Sequence, residues 1–592
     1  MTLENDLPMT YHLFAYPDTP SMSEPIGGVF ATTTALDRLP DTAHTQIAAR
    51  AAQCAPDDVL VFWDTRLGSV PLDLLEQFAR SGHDVWHPGI LSNHDVDFLD
   101  YIYPLDMYVS DIPRDVVGAV NFRLTMRAAF VRARIVQILG AFDSGFTSIQ
   151  GAALEMGWRW HRRGAVLRQQ PALLTQLVQE TTATPIADRY RLLALHSNAN
   201  WRALIAAARI LGGASPGEWR LARTASRHTT LAKIPTAAAE LNLEAVTLPA
   251  APRVSVVLPT YGRYKYLIEV LGDIRAQTIR PIEIIIADGN FEHTVDPQVY
   301  VPFSDLPLKV IYLQPEQRGT CGSRNACMQA ASGDYIWFVD DDSRFDARNL
   351  ENHLRLLEAY DADVSVGPAY TRTRPDLHGY QAEVSSSFMD CGTTVCRTAI
   401  VEKAGGFDMQ YNNSLPQEDG DIGDRFLIAG GVMLNNPHAR RFHYLAPVGG
   451  ARSSPNNVHR WRRWSGMPRP TQAVYYHTGR YHSEKLAWRA TLISWLVIGW
   501  RRKEGQKTTP RWLMAMRSQR CWRCLSRSIG WRTACASPVL CCARARVSRR
   551  SAARMRPLPR SRRLWKPGEP YPATRRLSQL GRRDQRDQRP RG

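Results

Sequence analysis

The sequence predicts an α/β protein built on a mostly parallel sheet, and three observations carry that prediction. Five apolar or aromatic residues, Tyr335 to Val339, run straight into Asp340, Asp341 and Asp342. A continuous apolar run of this length suits a strand covered on both faces. From Arg253 onward, strand-length apolar runs alternate with segments of helical period, the pattern of βα units. Between Asp58 and Asp64, a second apolar run, Val59 to Trp63, also ends on an acid.

Ligands of open α/β sheets gather outside the carboxyl ends of the strands, where the three acids fall. Adjacent carboxylates raise one another's pKa. A hard divalent cation such as Mg²⁺ or Mn²⁺ relieves that repulsion through oxygen ligands. A solvated acidic turn is the competing reading, and these residues alone leave both open.

A chain of 592 residues is long enough for two to four domains. Its formal charge of +18 is uneven: Arg501 to Gly592 carries a net +23, leaving −5 for the other 500 residues. A nucleic-acid reading therefore concerns the tail alone, and no nucleic-acid partner is expected. Five of the ten cysteines lie between Cys521 and Cys542; Cys54, Cys321, Cys327, Cys391 and Cys396 lack paired spacing, as expected in a reducing compartment. Met1 to Pro20 lacks the cationic start and apolar run of a secretory signal. No apolar run reaches 18 residues, so no spanning helix is expected.

Taken in order, residues to about Ser226 read as one globular region. Val59 to Trp63 is its strand, and Pro71 to Ala79 a helix with Pro71 suited to the first position. Leu124 to Leu139 reads as a helix before Gly140-Ala141-Phe142-Asp143. Ala152 to Arg163 is another, stopped by Gly164, and helical patterns continue from Leu167 to Leu211. His228 to Pro252 reads as a linker. Strands then follow at Val254–Leu258, Ile282–Ala287 and Lys309–Leu313, with helices at Tyr266–Ala276 and Gly322–Ala331. After Asp342 come a helix from Leu350 to Tyr360, a strand at Val364 to Val366, and a helix from Thr398 to Ala404 that ends at Gly405-Gly406-Phe407-Asp408. A last helix opens at Gln417-Glu418-Asp419 and stops at Gly430-Gly431. Acids in a first turn suit the helix dipole, but Glu418, Asp419, Asp421 and Asp424 within seven residues exceed what capping needs.

These features, in this order, resemble family 2 glycosyltransferases of the GT-A (nucleotide-diphospho-sugar transferase) fold over Arg253 to about Tyr444. The match comprises the Val-Ser-Val-Val-Leu-Pro-Thr-Tyr strand, the Ile-Ala-Asp-Gly-Asn turn, the Arg324-Asn325 helix, the three acids, Gly405-Gly406-Phe407-Asp408 and the Glu418-Asp419 helix. The resemblance implies that Pro259, Thr260, Tyr261 and Asp288 hold the donor's base and ribose. An aromatic can face a base, and a carboxylate accepts from N–H or hydroxyl. It implies that Asp340 and Asp342 bind a Mn²⁺ or Mg²⁺ ion on the donor diphosphate, with Asp341 beside them, and that the cation neutralises the departing nucleoside diphosphate. Asp419 matches the catalytic base of an inverting displacement. Glu418 and Asp421 are the alternatives, although Asp421 can instead pair with Arg425 at i, i+4. Arg318 and Arg324 stand where relatives place a donor contact and can meet diphosphate oxygens; two surface arginines are the other reading. His443 stands where many relatives complete the metal shell; a structural histidine is the other reading.

The amino-terminal region reads as a second, degenerate copy. Gly140-Ala141-Phe142-Asp143 echoes Gly405-Gly406-Phe407-Asp408, and aligning Gly157 with Gly423, Arg159 with Arg425 and Gly164 with Gly430 puts Ala152 and Ala153 where Glu418 and Asp419 stand. Asp64-Thr65-Arg66 keeps one of three acids. The expected organisation is a degenerate GT-A-like domain (1–226), a linker (227–252), a catalytic GT-A domain (253–448), a basic loop with amphipathic helices (449–518) and an Arg/Cys-rich disordered tail (519–592). Gly449 to Gln472 reads as a mobile lid or an exposed basic loop. Leu492 to Trp500 reads as an interfacial helix or one packed on the domain. The expected protein is an inverting glycosyltransferase using a nucleotide-sugar donor and a glycan or lipid-linked acceptor. The resemblance sets it in bacterial surface polysaccharide or lipopolysaccharide synthesis, in the cytoplasm, peripheral at the inner face of the cytoplasmic membrane. A non-catalytic nucleotide- or carbohydrate-binding scaffold is the alternative.

Overall fold

The computed structural model describes residues 10–16, 30–36, 40–89, 116–174, 184–196, 199–211, 213–225, 243–290, 294–372, 389–412, 418–450, 476–477 and 479–481. All lie in one compact unit, residues 1–458 and 472–487. The expectations for the basic loop beyond Gly450, the Leu492–Trp500 helix and the tail lie outside the described residues. Among the described residues no helix is long and apolar enough to cross a membrane.

The first sheet contains β1 (Tyr11–Tyr16), β2 (Thr32–Ala35), β3 (Val59–Asp64), β4 (Val85–His87), β5 (Ala128–Arg132) and β6 (Leu167–Gln169). Helices α1 (Pro40–Ala51), α2 (Leu72–Ser81), α3 (Ala133–Leu139) and α4 (Ile149–Arg162) lie between these strands in sequence, and α5 (Ile186–His196), α6 (Ala199–Leu211) and α7 (Glu218–Thr224) follow.

The second sheet contains β7 (Val254–Thr260), β8 (Glu283–Asp288), β9 (Leu308–Tyr312), β10 (Tyr335–Val339), β12 (Val364–Val366), β14 (Thr393–Arg397) and β15 (Met433–Asn435). A small third sheet joins β11 (Ser343–Phe345), β13 (Ala369–Tyr370) and β16 (Arg441–His443). The helices here are α8 (Tyr264–Arg275), α9 (Thr320–Ala330), α10 (Asn349–Tyr360), α11 (Thr398–Ala404) and α12 (Glu418–Ile428). Strand β10 shows why its apolar run is continuous. Tyr335, Trp337 and Val339 enter a core with residues of α8 and α10, while Ile336 and Phe338 enter the opposite core with residues of α9, α11 and α12. Both faces are covered, so no position can be polar.

The two sheets share one plan. The first has the order β2-β1-β3-β5-β4-β6; the second, read from the other edge, β9-β8-β7-β10-β14-β12-β15. Dropping β9, the successive pairings agree: parallel, parallel, antiparallel, antiparallel, parallel. The register agrees too. Val59 faces Arg132 as Tyr335 faces Arg397, Val85 faces Val131 as Val364 faces Cys396, and Val85 faces Leu167 as Val364 faces Met433. By that register Asp64 stands where Asp340 stands, and Arg66 where Asp342 stands. The glycine alignment holds at the level of contacts. Arg159 donates to the carbonyls of Leu139, Gly140 and Ala141 and pairs with Glu155. Arg425 donates to those of Ala404, Gly405 and Gly406 and pairs with Asp421.

Several expectations are corrected. Leu124 to Leu139 is not one helix: its middle is β5, held by antiparallel pairing to both β3 and β4, and only Ala133–Leu139 is helical. Leu167–Gln169 is strand β6, not helix. The end of the linker is pinned, because Arg355 on α10 donates to the carbonyls of Leu243, Glu244 and Val246. Strands β1, β2 and β14 were not expected. The two sheet regions touch where Arg168 of β6 donates to the carbonyls of Tyr360 and Asp361 at the end of α10.

Candidate active site

The second sheet delivers its acids to one end. Strands β7, β8 and β10 are parallel and finish side by side, at Thr260, Asp288 and Val339, with Asp340 to Asp342 next in the chain. The acid cluster already has counter-charges. Arg263 lies 2.8 Å from Asp341 and 3.4 Å from Asp342. Arg324 lies 2.9 Å from Asp340, and Arg441 3.6 Å.

The three carboxyls respond differently. Burial pushes the Asp341 carboxyl up to about 6 although Arg263 opposes it. Burial also works against ionisation at Asp340, but Arg324 and Arg441 hold that carboxyl below its usual range. At Asp342, burial is outweighed by His443, Arg263 and the Ala446 N–H, which hold the carboxyl far below its usual range. Guanidinium groups thus share in relieving their repulsion.

The test for a divalent cation rests on the donor set. His443, on β16, puts Nε2 3.3 Å from Asp342 Oδ1, because Ser343 and His443 are register partners between β11 and β16. A carboxylate and an imidazole so placed fit a divalent cation. Asp340 faces the guanidinium groups of Arg324 and Arg441, as Asp342 also faces that of Arg263. Among the described residues, the one group of three His, Cys or acid ligand atoms within 4.8 Å of one another lies elsewhere, at His12, Cys54 and Asp58.

At the expected nucleotide end, Asp288 is fully buried and already saturated. Its Oδ2 accepts from the Tyr264 and Tyr300 hydroxyls at 2.6 and 2.8 Å, and its Oδ1 from the backbone and side-chain nitrogens of Asn290. It holds Asn290, Tyr264 and Tyr300 together. Thr260 donates its hydroxyl to Asp341 at 2.9 Å, so both are structural partners at the strand end. Pro259 and Tyr261 are half-buried beside them, and the Tyr261 carbonyl accepts from the Gly450 N–H. Arg318 is half-buried before α9, with its carbonyl held by Asn412.

Arg324 is not a surface residue. It is 6% exposed, bonded to Asp340, and within electrostatic reach of Glu418 and Asp419 at the start of α12. Its neighbour Asn325 bonds the Phe407 N–H and carbonyl, tying α9 to the turn before α12. Burial, with Glu418 adding to it, pushes the Asp419 carboxyl up to about 7; Arg324 and the Cys391 thiol act against this. The Asp419 Oδ1 is buried without a hydrogen-bond partner among the described residues. Asp421 is turned away from this point, fully buried and bonded to Arg425 at 3.0 Å. Arg263, Arg441, Tyr264, Tyr300 and Cys391 escaped sequence reasoning. Arg263 follows the Pro259–Gly262 turn, which was its one available signal.

The model of the family "Glycosyl transferase family 2" matches residues 255–417. Glycosyltransferase GlyA of Streptococcus pneumoniae is 29% identical over 120 residues, 20% of this chain and 17% of GlyA. The uncharacterized glycosyltransferase YwdF of Bacillus subtilis is 31% identical over 176 residues, 27% of this chain and 64% of YwdF. The chain thus spans less than two thirds of either relative. A solved mannosyltransferase, PcManGT from Pyrobaculum calidifontis in complex with GDP-Man and Mn²⁺, is 17% identical, covering 54% of this chain and 91% of its own, with a TM-score of only 0.33. Residues 255–417, which bring the three acids and the helices around them to one sheet end, are a glycosyl transferase family 2 domain.

Proposed function

We propose that the second sheet region is a GT-A-type, cation-dependent, inverting glycosyltransferase. It moves a sugar from a nucleotide-diphosphate donor to a hydroxyl of a glycan or lipid-linked glycan acceptor. The observation that carries this reading is the meeting, at one sheet end, of the Asp342–His443 pair with Arg324, which bridges Asp340 toward Glu418 and Asp419. Asp342 and His443 would hold the cation, Mn²⁺ or Mg²⁺. When bound, it supplies positive charge to the departing diphosphate.

The chain's own residues do the rest. Pro259, Tyr261 and the Asp288–Asn290 turn receive the nucleoside. Arg324, with Arg318 at the mouth of α9, faces the diphosphate oxygens. Asp419, whose raised pKa suits proton transfer near neutrality, takes the proton of the acceptor hydroxyl. That oxygen bonds the anomeric carbon as the carbon–phosphate-oxygen bond breaks. The electron pair leaves with the nucleoside diphosphate, and the configuration inverts. The setting we propose is bacterial surface polysaccharide or lipopolysaccharide synthesis at the inner face of the cytoplasmic membrane.

The first sheet region is read as a degenerate copy of the same fold, supported by shared strand order, sense and register. In it Arg66 replaces the acid equivalent to Asp342 and, with Arg127, clamps the buried Asp64 at 2.7 and 2.8 Å. Ala153 replaces Asp419 and is fully buried. Among the described residues, that end lacks counterparts of Asp342 and Asp419.

The test is a panel of nucleotide sugars with Mn²⁺, scored for binding, hydrolysis and transfer. One donor should bind and turn over. If none binds in any metal, the non-catalytic scaffold becomes the better account. The degenerate-copy reading is scored on Asp342→Ala, which should retain no metal-dependent nucleotide binding; residual binding would locate a working second site.

A further inference from the structure

The family match ends at residue 417 and the sequence reading closed the catalytic domain at 448, yet a later segment bonds the helix that carries Glu418 and Asp419. Residues 476, 477 and 479–481 are helical and lie against α12 and the turn before it. Arg480 bridges two carboxylates. It bonds Asp408, the last residue of the Gly405–Asp408 turn, and Asp421, in the first turn of α12 at 3.1 Å. Tyr481 donates its hydroxyl to Asp421 at 2.6 Å, and Tyr476 to Asp408 at 2.8 Å. His477 lies 2.9 Å from Asp424, one turn further along α12, and faces Gly420 across 3.9 Å from where a side chain would begin. Asp421 and Asp424 are 0% and 1% exposed, so these acids depend on their partners.

The first sheet region contains the same device. There α5 bonds α4: Arg191 lies 2.5 Å from Asp143, the equivalent of Asp408, and His196 lies 3.2 Å from Glu155, the equivalent of Asp421. A helix that returns after the sheet to clamp the Gly-x-Phe-Asp turn onto the next helix is thus part of the repeated unit, and not an appendage of one copy.

We propose that residues 476, 477 and 479–481 belong to a positioning segment of the active site, with Arg480 as its hub. By locking Asp408 to Asp421, the segment holds the first turn of α12, and so Asp419, against the donor end of β10. The kinetic part rests on the glycosyltransferase reading; the structural part does not. Arg480 and Tyr481 touch no reacting atom in this account, so their effect is on placement, where a shift of about 1 Å costs about 10²-fold in rate.

The experiment compares full-length wild type with Arg480→Gln, Arg480→Lys and Tyr481→Phe in three measurements: amide hydrogen exchange, Mn²⁺-dependent affinity for UDP and GDP, and donor kcat and KM. Arg480→Gln should speed exchange in 418–421 at least about tenfold while leaving 254–260 unchanged. Nucleotide affinity should stay within about twofold, and kcat should fall about 10²-fold at constant donor KM. Arg480→Lys should recover part of the loss, and Tyr481→Phe should show a smaller change of the same pattern. Unchanged exchange in α12 overturns the proposal. So does a parallel loss of nucleotide affinity and protection everywhere, which marks a merely structural role. If Arg480→Gln does not fold, Tyr481→Phe decides by the same criteria. If wild type turns over no donor, the function fails while the exchange measurement still decides the positioning claim.

Discussion

Replacing Asp419 by Asn should remove transfer, spare donor binding and stabilise the fold at alkaline pH. The Asp419 carboxyl is pushed up to about 7 by burial and by Glu418, and one of its oxygens is buried without a hydrogen-bond partner among the described residues. In the unfolded chain the same group titrates near 3.9. Between about pH 4 and 7 the folded state therefore holds a proton that the unfolded state has lost, so stability falls as pH rises through that window and is flat above it. Asn abolishes this dependence. For a half-buried group, with solvent screening discounted, the gain at pH 8 is on the order of 2 kcal/mol, or a few degrees in Tm. Transfer should drop by about 10²–10⁴-fold, the usual worth of a positioned base. In wild type, kcat should fall about tenfold per pH unit below pH 7, and Glu418→Gln should move that limb to lower pH. Asp342 is held ionised throughout this range, so its own titration does not contribute to the limb. Scanning fluorimetry at pH 5 and pH 8 and kcat from pH 5 to 9 are the assays. A pH-flat kcat, or an Asn variant with wild-type turnover, would refute the reasoning.

Three further outcomes follow from the same structure. Arg425→Ala leaves three carbonyls without this donor and takes one partner from the buried Asp421, which keeps Arg480 and Tyr481, and should cost about 1–3 kcal/mol; Arg159→Ala should cost a similar amount, since Glu155 keeps His196, and urea unfolding compares the two. Trp337→Ala empties a fully buried site on β10 and should cost about 3–5 kcal/mol, read as a lower denaturation midpoint. Cys391→Ala removes a thiol that favours ionised Asp419, so the kcat limb should move to higher pH; a shift the other way contradicts the assignment.

What could be read from sequence was set by local constraint. Strand β10 was legible because burial on both faces forbids polar residues along it. The repeat was legible because Gly140 and Gly405, at φ 78° and 77°, and Gly164 and Gly430, at φ 98° and 91°, sit where side chains are strained. Those glycines fix an alignment that the acids do not, since Arg66 and Ala153 stand opposite Asp342 and Asp419. Strand β5 was illegible because its apolar run suits a helix equally well; pairing with β3 and β4 decides it. Arg263 was illegible because its partner Asp341 is 78 residues away. Asp288 was recognised as important but read as a free acceptor, since nothing local shows that Tyr264 and Tyr300 converge on it. The 476–481 clamp was missed because its meaning lies in two acids on other elements.

The most direct test of the central claim is Mn²⁺-dependent donor binding and transfer measured side by side on wild type, Asp342→Ala and Asp419→Asn. The account predicts that wild type binds and transfers, that Asp342→Ala loses metal-dependent binding, and that Asp419→Asn binds normally but does not transfer. Binding that survives Asp342→Ala, or transfer that survives Asp419→Asn, would contradict it.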